Sequence, residues 1–387
     1  MKVLYISGMY PTPTYPQKGI FCHEQVKALK RIGVEVDVIV PMTIYDKEYT
    51  TKNWIYEGVS IRYIKYFKFP GVRYFEKIGK YLYYALMRSK IDFSQYDVLH
   101  ADAPLPAGDA IRRISQKYDI PFVVHGHGLD VFMDVDYQYA RNCNKIVEKC
   151  IEVYEQCDAI TGVSQKVVNN ILSRIDVKQK CFVVYNGVDT KRFIPRCKKD
   201  NERLEIISVG NLIELKGHDI TLKAMAKVIE QGYSKLHLTI YGRGDKEKEL
   251  KNLVAELNIQ KYVTFGGYIS YDQIAEKMRR ADLFVLPSWY EAVGCVYLES
   301  MASGTPVIGC RGNGIDEIIQ DRKNSYLVRP HNIEDVIEII CYVYKHKADK
   351  EYEIMSENAR KSVEKNFSWR CSAEHLLMIY RHLKEEK

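Results

Sequence analysis

The chain has 387 residues, more than a single hydrophobic core usually serves, so we expect two domains. Its residues are 46% hydrophobic and 28% charged, which is typical of a soluble globular protein and excludes a disordered or fibrous one. The net charge of +7 favours anionic partners such as nucleotides, lipid phosphates or a membrane surface, and we expect no nucleic acid partner. No apolar run approaches the roughly 18 residues that a membrane-spanning helix needs.

The ten cysteines do not indicate disulfides, because the opening MKVLYISGMY lacks the long apolar region and cleavage site of a secretory leader. We therefore expect a reducing, cytoplasmic location. Cys143, Cys150 and Cys157 recur every seven residues, near one stripe of a predicted helix, which small buried side chains explain better than a metal site. The segment HEQVK, which contains His23, has Lys27 where the second histidine of a zinc-protease helix would stand, so that class is excluded.

Strand-like apolar runs alternate with amphipathic helical stretches in the first half of the chain. KVLYIS and EVDVIVP flank a predicted helix in which Val26, Leu29 and Ile32 have helical spacing and which Gly33 ends. DVLHAD, PFVVHGHG and DAITGVS continue the pattern, with helices between them. This β-α-β rhythm predicts a parallel sheet.

A charged, turn-prone stretch follows VVYNGVD, and a second series of short β-branched runs begins after it: EIISVGN, LHLTIYGRG, YVTFGGYI, LFVLPS, TPVIGC and SYLV. We predict an α/β fold of two doubly wound parallel-sheet domains, at residues 1–190 and 203–368, with a helix over 369–387 completing the first. The cleft between them is the expected site, because ligands of such sheets bind beyond the carboxyl ends of the strands.

The segment SWYEAVGCVYLESMASGTPVIG holds two carboxylates, Glu291 and Glu299, eight residues apart around Gly294. Glu291 follows a predicted strand and precedes an apolar helix, whose first backbone N–H groups suit an anionic or hydroxyl-rich ligand. Glu299 would face the same way about one turn later, where a carboxylate can accept two hydrogen bonds from a vicinal diol. The alternative is a helix-start glutamate followed by a solvated one, with no ligand.

Two further segments place groups that could bind phosphate. SVGNLIELKGHDI puts Lys216 after the first strand of the second domain and before a helix, where its charge could meet a diphosphate. YPQKGIFCHEQV puts Gly19 at a helix start, where backbone amides can bind phosphate. The alternative for the lysine is simple solvation at the surface.

Six segments then resemble, in order along the chain, the motifs of family 4 of the retaining glycosyltransferases: PFVVHGHGLDVF, VVYNGVD, VGNLIELKGHD, FGGYIS, PSWYEAVGCVYLESMASGTPVIG and GNGIDEII. The resemblance covers nearly the whole chain, and the Glu-x7-Glu spacing matches the donor-binding motif of that family. It implies two Rossmann-like domains facing a cleft, the GT-B fold, and a retaining transfer of a hexose or related sugar from a UDP- or GDP-linked donor. No metal and no cofactor are expected.

The resemblance also implies what kind of acceptor is used. Family members of this length generally build cell-surface polysaccharides and glycolipids, and the chain is similar to the bacterial glycosyltransferases of teichuronic acid and capsule synthesis. A glycan or lipid-linked acceptor is therefore expected, bound by the first domain.

For the nucleotide, the resemblance implies that Glu299 binds the ribose diol and that Tyr268 and Ile269 offer main-chain edges to the base. Lys216 would neutralise the diphosphate as it leaves, and the amides at Gly19 would approach it from the first domain. Each of these roles is an expectation from the family motif at that position.

For the sugar, the resemblance implies that Glu291 faces its hydroxyls and that His127 contacts it near the reacting carbon, with Asp130 completing the motif. The backbone amides that would assist belong to Val293, Gly294 and Cys295. His125 is the alternative histidine, although the spacing from Pro121 favours His127. A strand-end histidine whose ring is satisfied within the core is the non-functional alternative for both.

One departure from the family pattern concerns the phosphates. The family usually has arginine where this chain has Asn211, which can donate a hydrogen bond but carries no charge. Either the leaving group is held less tightly, or Arg243 or another cation substitutes.

Other functions remain to be weighed against transfer. Asp134 and Asp136 have the Asp-x-Asp spacing of metal-dependent glycosyltransferases, but a solvated helix start explains them better. A sugar-nucleotide epimerase of the same architecture is the alternative enzyme, and a non-catalytic nucleotide-sugar binder is the alternative outside enzymes. A dehydrogenase is disfavoured because no strand ends in Gly-x-Gly-x-x-Gly.

Residues 62–90 interleave tyrosine and phenylalanine with eight basic residues and one acid, Glu76. Such a mixture suits a membrane interface, where basic groups meet anionic headgroups. The segment lies in the domain expected to bind the acceptor, so we predict attachment to the inner face of the cell membrane. The alternative is a solvated helix with an aromatic core face. The basic residues are Arg62, Lys65, Lys68, Arg73, Lys77, Lys80, Arg88 and Lys90.

Overall fold

The computed structural model describes residues 1–46, 53–69, 77–128, 144–177, 180–195 and 202–386. The chain divides into two compact units, Met1–Asn186 with Trp369–Lys387, and Gly187–Ser368. Each unit is built around its own parallel sheet, so the predicted fold class is confirmed.

The sheet of the first unit has the order β3-β4-β2-β1-β5-β6-β7-β8. All neighbouring strands are parallel except the edge pair β3 and β4, which forms an antiparallel hairpin that the sequence patterns did not predict. The strands are β1 Lys2–Ile6, β2 Glu35–Thr43, β3 Trp54–Tyr56, β4 Val59–Tyr66, β5 Val98–Ala101, β6 Phe122–Gly126, β7 Ala159–Gly162 and β8 Cys181–Val183.

Helices of the first unit pack on this sheet and on one another. In the helix that begins at Ile20, Val26 and Leu29 enter the core as their spacing predicts, and Gly33 follows the helix end with a positive φ of 89°. The C-terminal helix packs on that first helix and buries Leu376 and Tyr380 in the same core. The helices are α1 Ile20–Arg31, α2 Ile78–Arg88, α3 Asp109–Tyr118, α4 Asn144–Gln156, α5 Gln165–Leu172 and α12 Trp369–Glu385.

The sheet of the second unit has the order β11-β10-β9-β12-β13-β14, with every neighbouring pair parallel. Its strands are β9 Leu204–Val209, β10 Leu236–Tyr241, β11 Val263–Gly267, β12 Leu283–Val285, β13 Val307–Cys310 and β14 Tyr326–Val328. Its helices are α6 His218–Glu230, α7 Glu247–Glu256, α8 Tyr271–Arg280, α9 Cys295–Ala302, α10 Ile333–His346 and α11 Lys350–Asn366.

Both sheets contain a point where the strand order reverses, and this decides where ligands can bind. In the first unit the chain runs outward from β1 and returns to add β5 on its other side; in the second, β9 and β12 have the same relation. Loops leaving the carboxyl ends of such adjacent strands diverge and leave room for a ligand. The loops after β9 and β12 carry Lys216 and Glu291.

Residues 62–90 do not form one helix: Arg62–Tyr66 belong to β4 and Ile78–Arg88 form α2, while Arg73 and Glu76 lie outside the described residues. Of the three cysteines in the predicted stripe, Cys150 and Cys157 are buried, and Cys143 lies outside the described residues.

In the part of the chain that the structure describes, no helix is both long and apolar enough to cross a membrane.

Candidate functional site

Lys216 and Glu291 form an ion pair beyond the carboxyl ends of the central strands β9 and β12. The Lys216 Nζ donates directly to Glu291 Oε2. Both side chains are largely buried, with 18% and 14% of their surface exposed, so the attraction is screened less than at a free surface. The two residues that the sequence places 75 positions apart are therefore brought together.

Backbone contacts hold the two loops against each other. The Ser288 hydroxyl and the Trp289 N–H both donate to the Leu215 carbonyl, at 2.9 and 3.2 Å. Asn313, buried after β13, donates from Nδ2 to the Ser288 carbonyl at 3.0 Å and accepts the Glu291 N–H on Oδ1 at 3.1 Å. Asn313 lies within the GNGIDEII motif but is not among the predicted site residues.

Helix α9 begins just beyond Glu291. Gly294 precedes its first residue, Cys295, with a positive φ of 76°, and a Cβ there would lie 2.7 Å from the Tyr297 ring, so only glycine fits. Val293 is buried beneath the loop. The first backbone N–H groups of a helix have no partner within the helix, so this loop can direct them at an anion or hydroxyl.

Glu299 lies within α9 and is only 7% exposed. Burial raises its pKa to about 8, although the positive charge of Arg192 acts in the opposite direction. The alternative of a solvated helical glutamate is therefore wrong for Glu299. A buried carboxyl whose ionisation is costly gains most when a ligand donates hydrogen bonds to it.

Asn211 follows β9 and is exposed, as are Arg243 and Tyr268 on the two neighbouring strand ends. The Leu212 N–H donates to the Arg243 carbonyl at 2.9 Å, so the Arg243 loop runs directly beside that of Asn211. The Arg243 guanidinium lies 5.3 Å from the centre of the Tyr268 ring. Ile269, the next residue, is partly buried.

A buried histidine that is not among the predicted site residues positions the Asn211 loop. His218 is buried at the start of α6, and its Nε2 lies 3.3 Å from the Asn211 carbonyl, which can only accept. Its Nδ1 is 3.2 Å from the Ser208 hydroxyl. Burial lowers the pKa of His218 to about 4, so the ring is neutral and its Nε2–H donates to the loop.

In the first unit, Gly19 lies immediately before α1, as predicted. Its φ is 59°, and a Cβ there would be 2.0 Å from the Met9 carbonyl oxygen, so no other residue fits. The same helix start reaches His127, because the rings of Phe21 and His127 are 4.8 Å apart. Gly19 and His127 are thus brought to one region of this unit.

His127 follows β6 and contacts Asp102, which directly follows β5. Its Nε2 lies 3.3 Å from Asp102 Oδ1, and the Tyr5 hydroxyl donates to the same oxygen at 2.5 Å. Burial alone would raise the pKa of Asp102, but the hydrogen bonds and charges of His100 and His127 outweigh it and hold the pKa well below its ordinary value. Asp102 is therefore an ionised group that can orient His127.

Asp102 is not among the predicted site residues, because DVLHAD indicates only a strand. Its contact with His127 depends on the strand order, in which β5 and β6 are neighbours, and the sequence does not display that order.

His125, the alternative histidine, is a core residue. It is fully buried in β6, its Nδ1 is 2.6 Å from the Thr161 hydroxyl, and burial holds its pKa well below the ordinary value. It therefore matches the core alternative rather than a ligand-contacting one, although only its Nδ1 has a hydrogen-bond partner among the described residues. Asp130, Asp134 and Asp136 lie outside the described residues.

Solved structures with the same architecture define the class of fold. Sucrose-phosphate synthase from Thermosynechococcus elongatus superposes with a TM-score of 0.84 at 21% identity, over 100% of both chains. HepE from Anabaena, in complex with UDP and glucose, superposes with a TM-score of 0.74 at 17% identity, over 98% of both chains. At such identities the likeness establishes the fold, which is GT-B.

Family models then cover most of the sequence. The model for Glycosyltransferase Family 4 matches residues 19–192, and that for Glycosyl transferases group 1 matches residues 189–362. The chain belongs to the family 4 glycosyltransferases. It is 25% identical to the teichuronic acid biosynthesis glycosyltransferase TuaC of Bacillus subtilis, over 90% of both chains.

Proposed function

We propose that this glycosyltransferase moves a hexose or related sugar, with retention and without a metal, from a UDP- or GDP-linked donor to a glycan acceptor in cell-surface polysaccharide synthesis. The observation that carries the donor assignment is Glu299, a buried carboxyl on α9 whose pKa burial raises to about 8. Its helix starts beside the Lys216 and Glu291 pair. A ribose diol would supply two hydrogen bonds to it, and the paired lysine would meet the diphosphate.

The ion pair gives the second unit a switchable arrangement. With no donor bound, Lys216 and Glu291 neutralise each other. A donor diphosphate would attract the lysine, and Glu291 would turn to the sugar hydroxyls, assisted by the amides of Val293, Gly294 and Cys295. Tyr268 and Ile269 would offer main-chain groups to the base. The lysine is worth most when the glycosidic bond breaks and charge develops on the leaving phosphate.

Arg243 is the cation that we propose in place of the family arginine at Asn211. Its backbone is hydrogen-bonded to the residue after Asn211, and its guanidinium rests near the Tyr268 ring. Moving the guanidinium from the aromatic face to a phosphate should cost little free energy, because two parallel N–H bonds to the phosphate replace the contact with the ring.

In the first unit we propose that His127 acts on the donor sugar near its reacting carbon. Asp102 accepts from the His127 Nε2–H and thereby fixes the orientation of the ring. The amides at Gly19 would contact the diphosphate.

The names of similar proteins help to choose which donor and which class of acceptor to propose. HepE has UDP and glucose bound, which supports UDP-linked sugars as the first donors to test. TuaC is named for teichuronic acid, a polymer, whereas the synthase of Thermosynechococcus is named for sucrose phosphate, a small molecule. We propose the polymer or its lipid-linked precursor as acceptor, on the basis of the surface described next.

That surface is the outer face of α2 with the strand end beside it. Lys77, Lys80, Tyr84 and Arg88 follow one stripe of the helix, and all four are exposed. Phe67, beyond the end of β4, is 40% exposed and its ring lies 6.0 Å from Tyr81 of α2. Exposed aromatic rings beside basic groups suit an anionic membrane surface, and we propose that the protein attaches there, at the cytoplasmic face of the membrane.

The test of the function is a panel of UDP- and GDP-sugars, first for binding and then for transfer to glycan and lipid-linked acceptors in the presence of a chelator. Proton NMR of the new anomeric centre should show retention. An inverted product, or activity lost in chelator, would contradict the proposed reaction. Isomerisation of donor without acceptor would instead identify the epimerase, and binding without turnover of any pair would identify the non-catalytic binder.

A further inference from the structure

Three side chains that can ligate a metal converge in the first unit. Cys22 on α1, Asp102 after β5 and His127 after β6 each direct one donor atom to a common point, and these atoms all lie within 4.8 Å of one another. Cys22 and Asp102 are buried, with 1% and 3% of their surface exposed. None of the three was expected to bind a metal.

Two of the three separations between these donor atoms are close to those that a tetrahedral zinc site requires. Bonds of about 2.3 Å to sulfur and about 2.1 Å to nitrogen and oxygen imply ligand separations of about 3.6 Å for sulfur and nitrogen and about 3.4 Å for nitrogen and oxygen. The Cys22 Sγ lies 3.9 Å from His127 Nε2, and that nitrogen lies 3.3 Å from Asp102 Oδ1. Shifts of these donor atoms by a few tenths of an ångström would bring both separations to the values of a zinc site.

The surroundings supply what metal ligands need from their neighbours. The Tyr5 hydroxyl donates to Asp102 Oδ1 at 2.5 Å, and such outer hydrogen bonds orient a ligating carboxylate. Asp102 Oδ2 is buried and makes no hydrogen bond among the described residues, so a second oxygen is available to a cation. A carboxylate, an imidazole and a thiol together favour a borderline-soft ion.

We propose that Cys22, Asp102 and His127 form a binding site for a divalent cation of the zinc class, and that the bound ion blocks sugar transfer. On binding, the thiol proton passes to solvent and the sulfur, nitrogen and oxygen each bond to the ion, with water as a fourth ligand. The ring proton of His127 moves from Nε2 to Nδ1, so that Nε2 offers its lone pair. His127 and Asp102 are then unavailable to the donor sugar; this inhibition rests on the proposed function, whereas metal binding does not.

Cobalt(II) is the sharpest probe, because a cobalt–thiolate bond gives a charge-transfer absorption in the near ultraviolet. Titration of the full chain with cobalt, without any sugar, should give this band with saturation at one equivalent, and zinc should displace it. Cys22→Ala should abolish the band and weaken zinc binding, measured against a chromophoric chelator, by at least about a hundredfold, since even outer-shell losses cost ten- to a hundredfold. Cys157→Ala is the matched control, a buried cysteine of the same unit whose thiol donates to the Tyr154 carbonyl; it should keep the band.

Cys22→Val serves as a second variant that fills the core volume if the alanine variant does not fold. Zinc should inhibit the wild-type transferase and the Cys157→Ala control, but not the Cys22 variants. A wild-type protein without the thiolate band overturns the site, as does a band that survives loss of Cys22. If the band behaves as expected but no donor is transferred, the proposed function fails and the metal site stands.

Discussion

At the scale of single residues, the clearest physical signal is the burial of the Glu299 carboxyl in an apolar environment. Glu299 is buried on an apolar helix, and its pKa of about 8 means that the unliganded protein holds it mostly protonated at neutral pH. Burial of this kind destabilises the charged form, so the residue costs the folded protein stability as the pH rises from the ordinary pKa of 4.5 towards 8. A residue kept despite that cost is a reasonable candidate for ligand contact.

The first prediction is a pH dependence of nucleotide binding. To accept two hydrogen bonds from a ribose diol, Glu299 must ionise, so affinity for UDP or GDP should rise by up to about tenfold per pH unit below pH 8 and level off above it. Titration calorimetry between about pH 7 and 9 avoids the last phosphate ionisation, which occurs near pH ~6. Glu299→Ala should bind on the order of 2 to 3 kcal/mol more weakly.

Glu299→Gln is the control for the sign of this effect. It should bind nucleotide with no such pH slope, and it should melt at a higher temperature than wild type above pH 8, with the difference shrinking towards pH 4.5, because it removes the ionisation that destabilises the folded state. An unchanged slope in the glutamine variant would remove Glu299 from the diol role.

A second prediction concerns Lys216. Lys216→Ala should lower kcat by roughly a hundredfold or more, because the charge acts on the leaving diphosphate in the transition state. Lys223→Ala is the matched control, since Lys223 lies on the next helix, is half exposed and pairs with Asp219 at 2.8 Å. Steady-state kinetics would contradict the role if both variants kept kcat within a few-fold of wild type.

At the scale of elements, the strand-and-helix order could be predicted because β-branched runs closed by glycine or proline leave few alternatives. The β3–β4 hairpin was missed because Trp54–Tyr56 is too short to show a period. The positions of Glu291 and Gly294 just before α9 could be predicted, because one motif spans that loop and its helix. Asp102 and Cys22 could not be predicted, since they meet His127 only through strand order, which the sequence does not display.

A third prediction tests the loop after β12. Asn313→Ala removes two buried hydrogen bonds that hold Ser288 and Glu291, which should lower stability by about 1 to 3 kcal/mol and also reduce kcat. Asn324→Ala is matched: Asn324 is equally buried and bonds Gln320 and Ile318, but it precedes β14 and so lies at the opposite edge of the sheet. Chemical unfolding should report similar losses for both, and only Asn313→Ala should slow turnover; an equal effect on turnover would contradict a positioning role.

At the scale of the whole molecule, the positions of the basic residues indicate which surface could bind an anionic partner, which the net charge of +7 alone does not. On α2 the apolar residues Ile78, Leu82 and Leu86 are buried, so the exposed stripe consists of basic groups and tyrosine. Aromatic residues beside it remain exposed, with Phe67, Phe69 and Tyr84 at 40, 41 and 48%. This grouping of exposed rings supports the proposed membrane surface over the alternative of a solvated helix with an aromatic core face.

The last prediction follows from that surface. Each basic group near an anionic membrane contributes about 1 kcal/mol, so several together should give reversible attachment that weakens as salt screens the charges. Lys65, Lys77, Lys80 and Arg88 changed together to glutamine should weaken sedimentation with vesicles containing anionic lipid by at least about tenfold. Glutamine at Lys248, Lys251, Lys261 and Lys323, exposed lysines of the second unit, makes the same change in net charge and should have little effect. Phe67→Ala with Phe69→Ala should weaken binding at high salt as well, because salt does not screen the insertion of apolar rings.

If the two charge variants lost equal affinity for the vesicles, net charge alone would explain the binding. If binding did not depend on lipid charge, a soluble acceptor would be the better proposal.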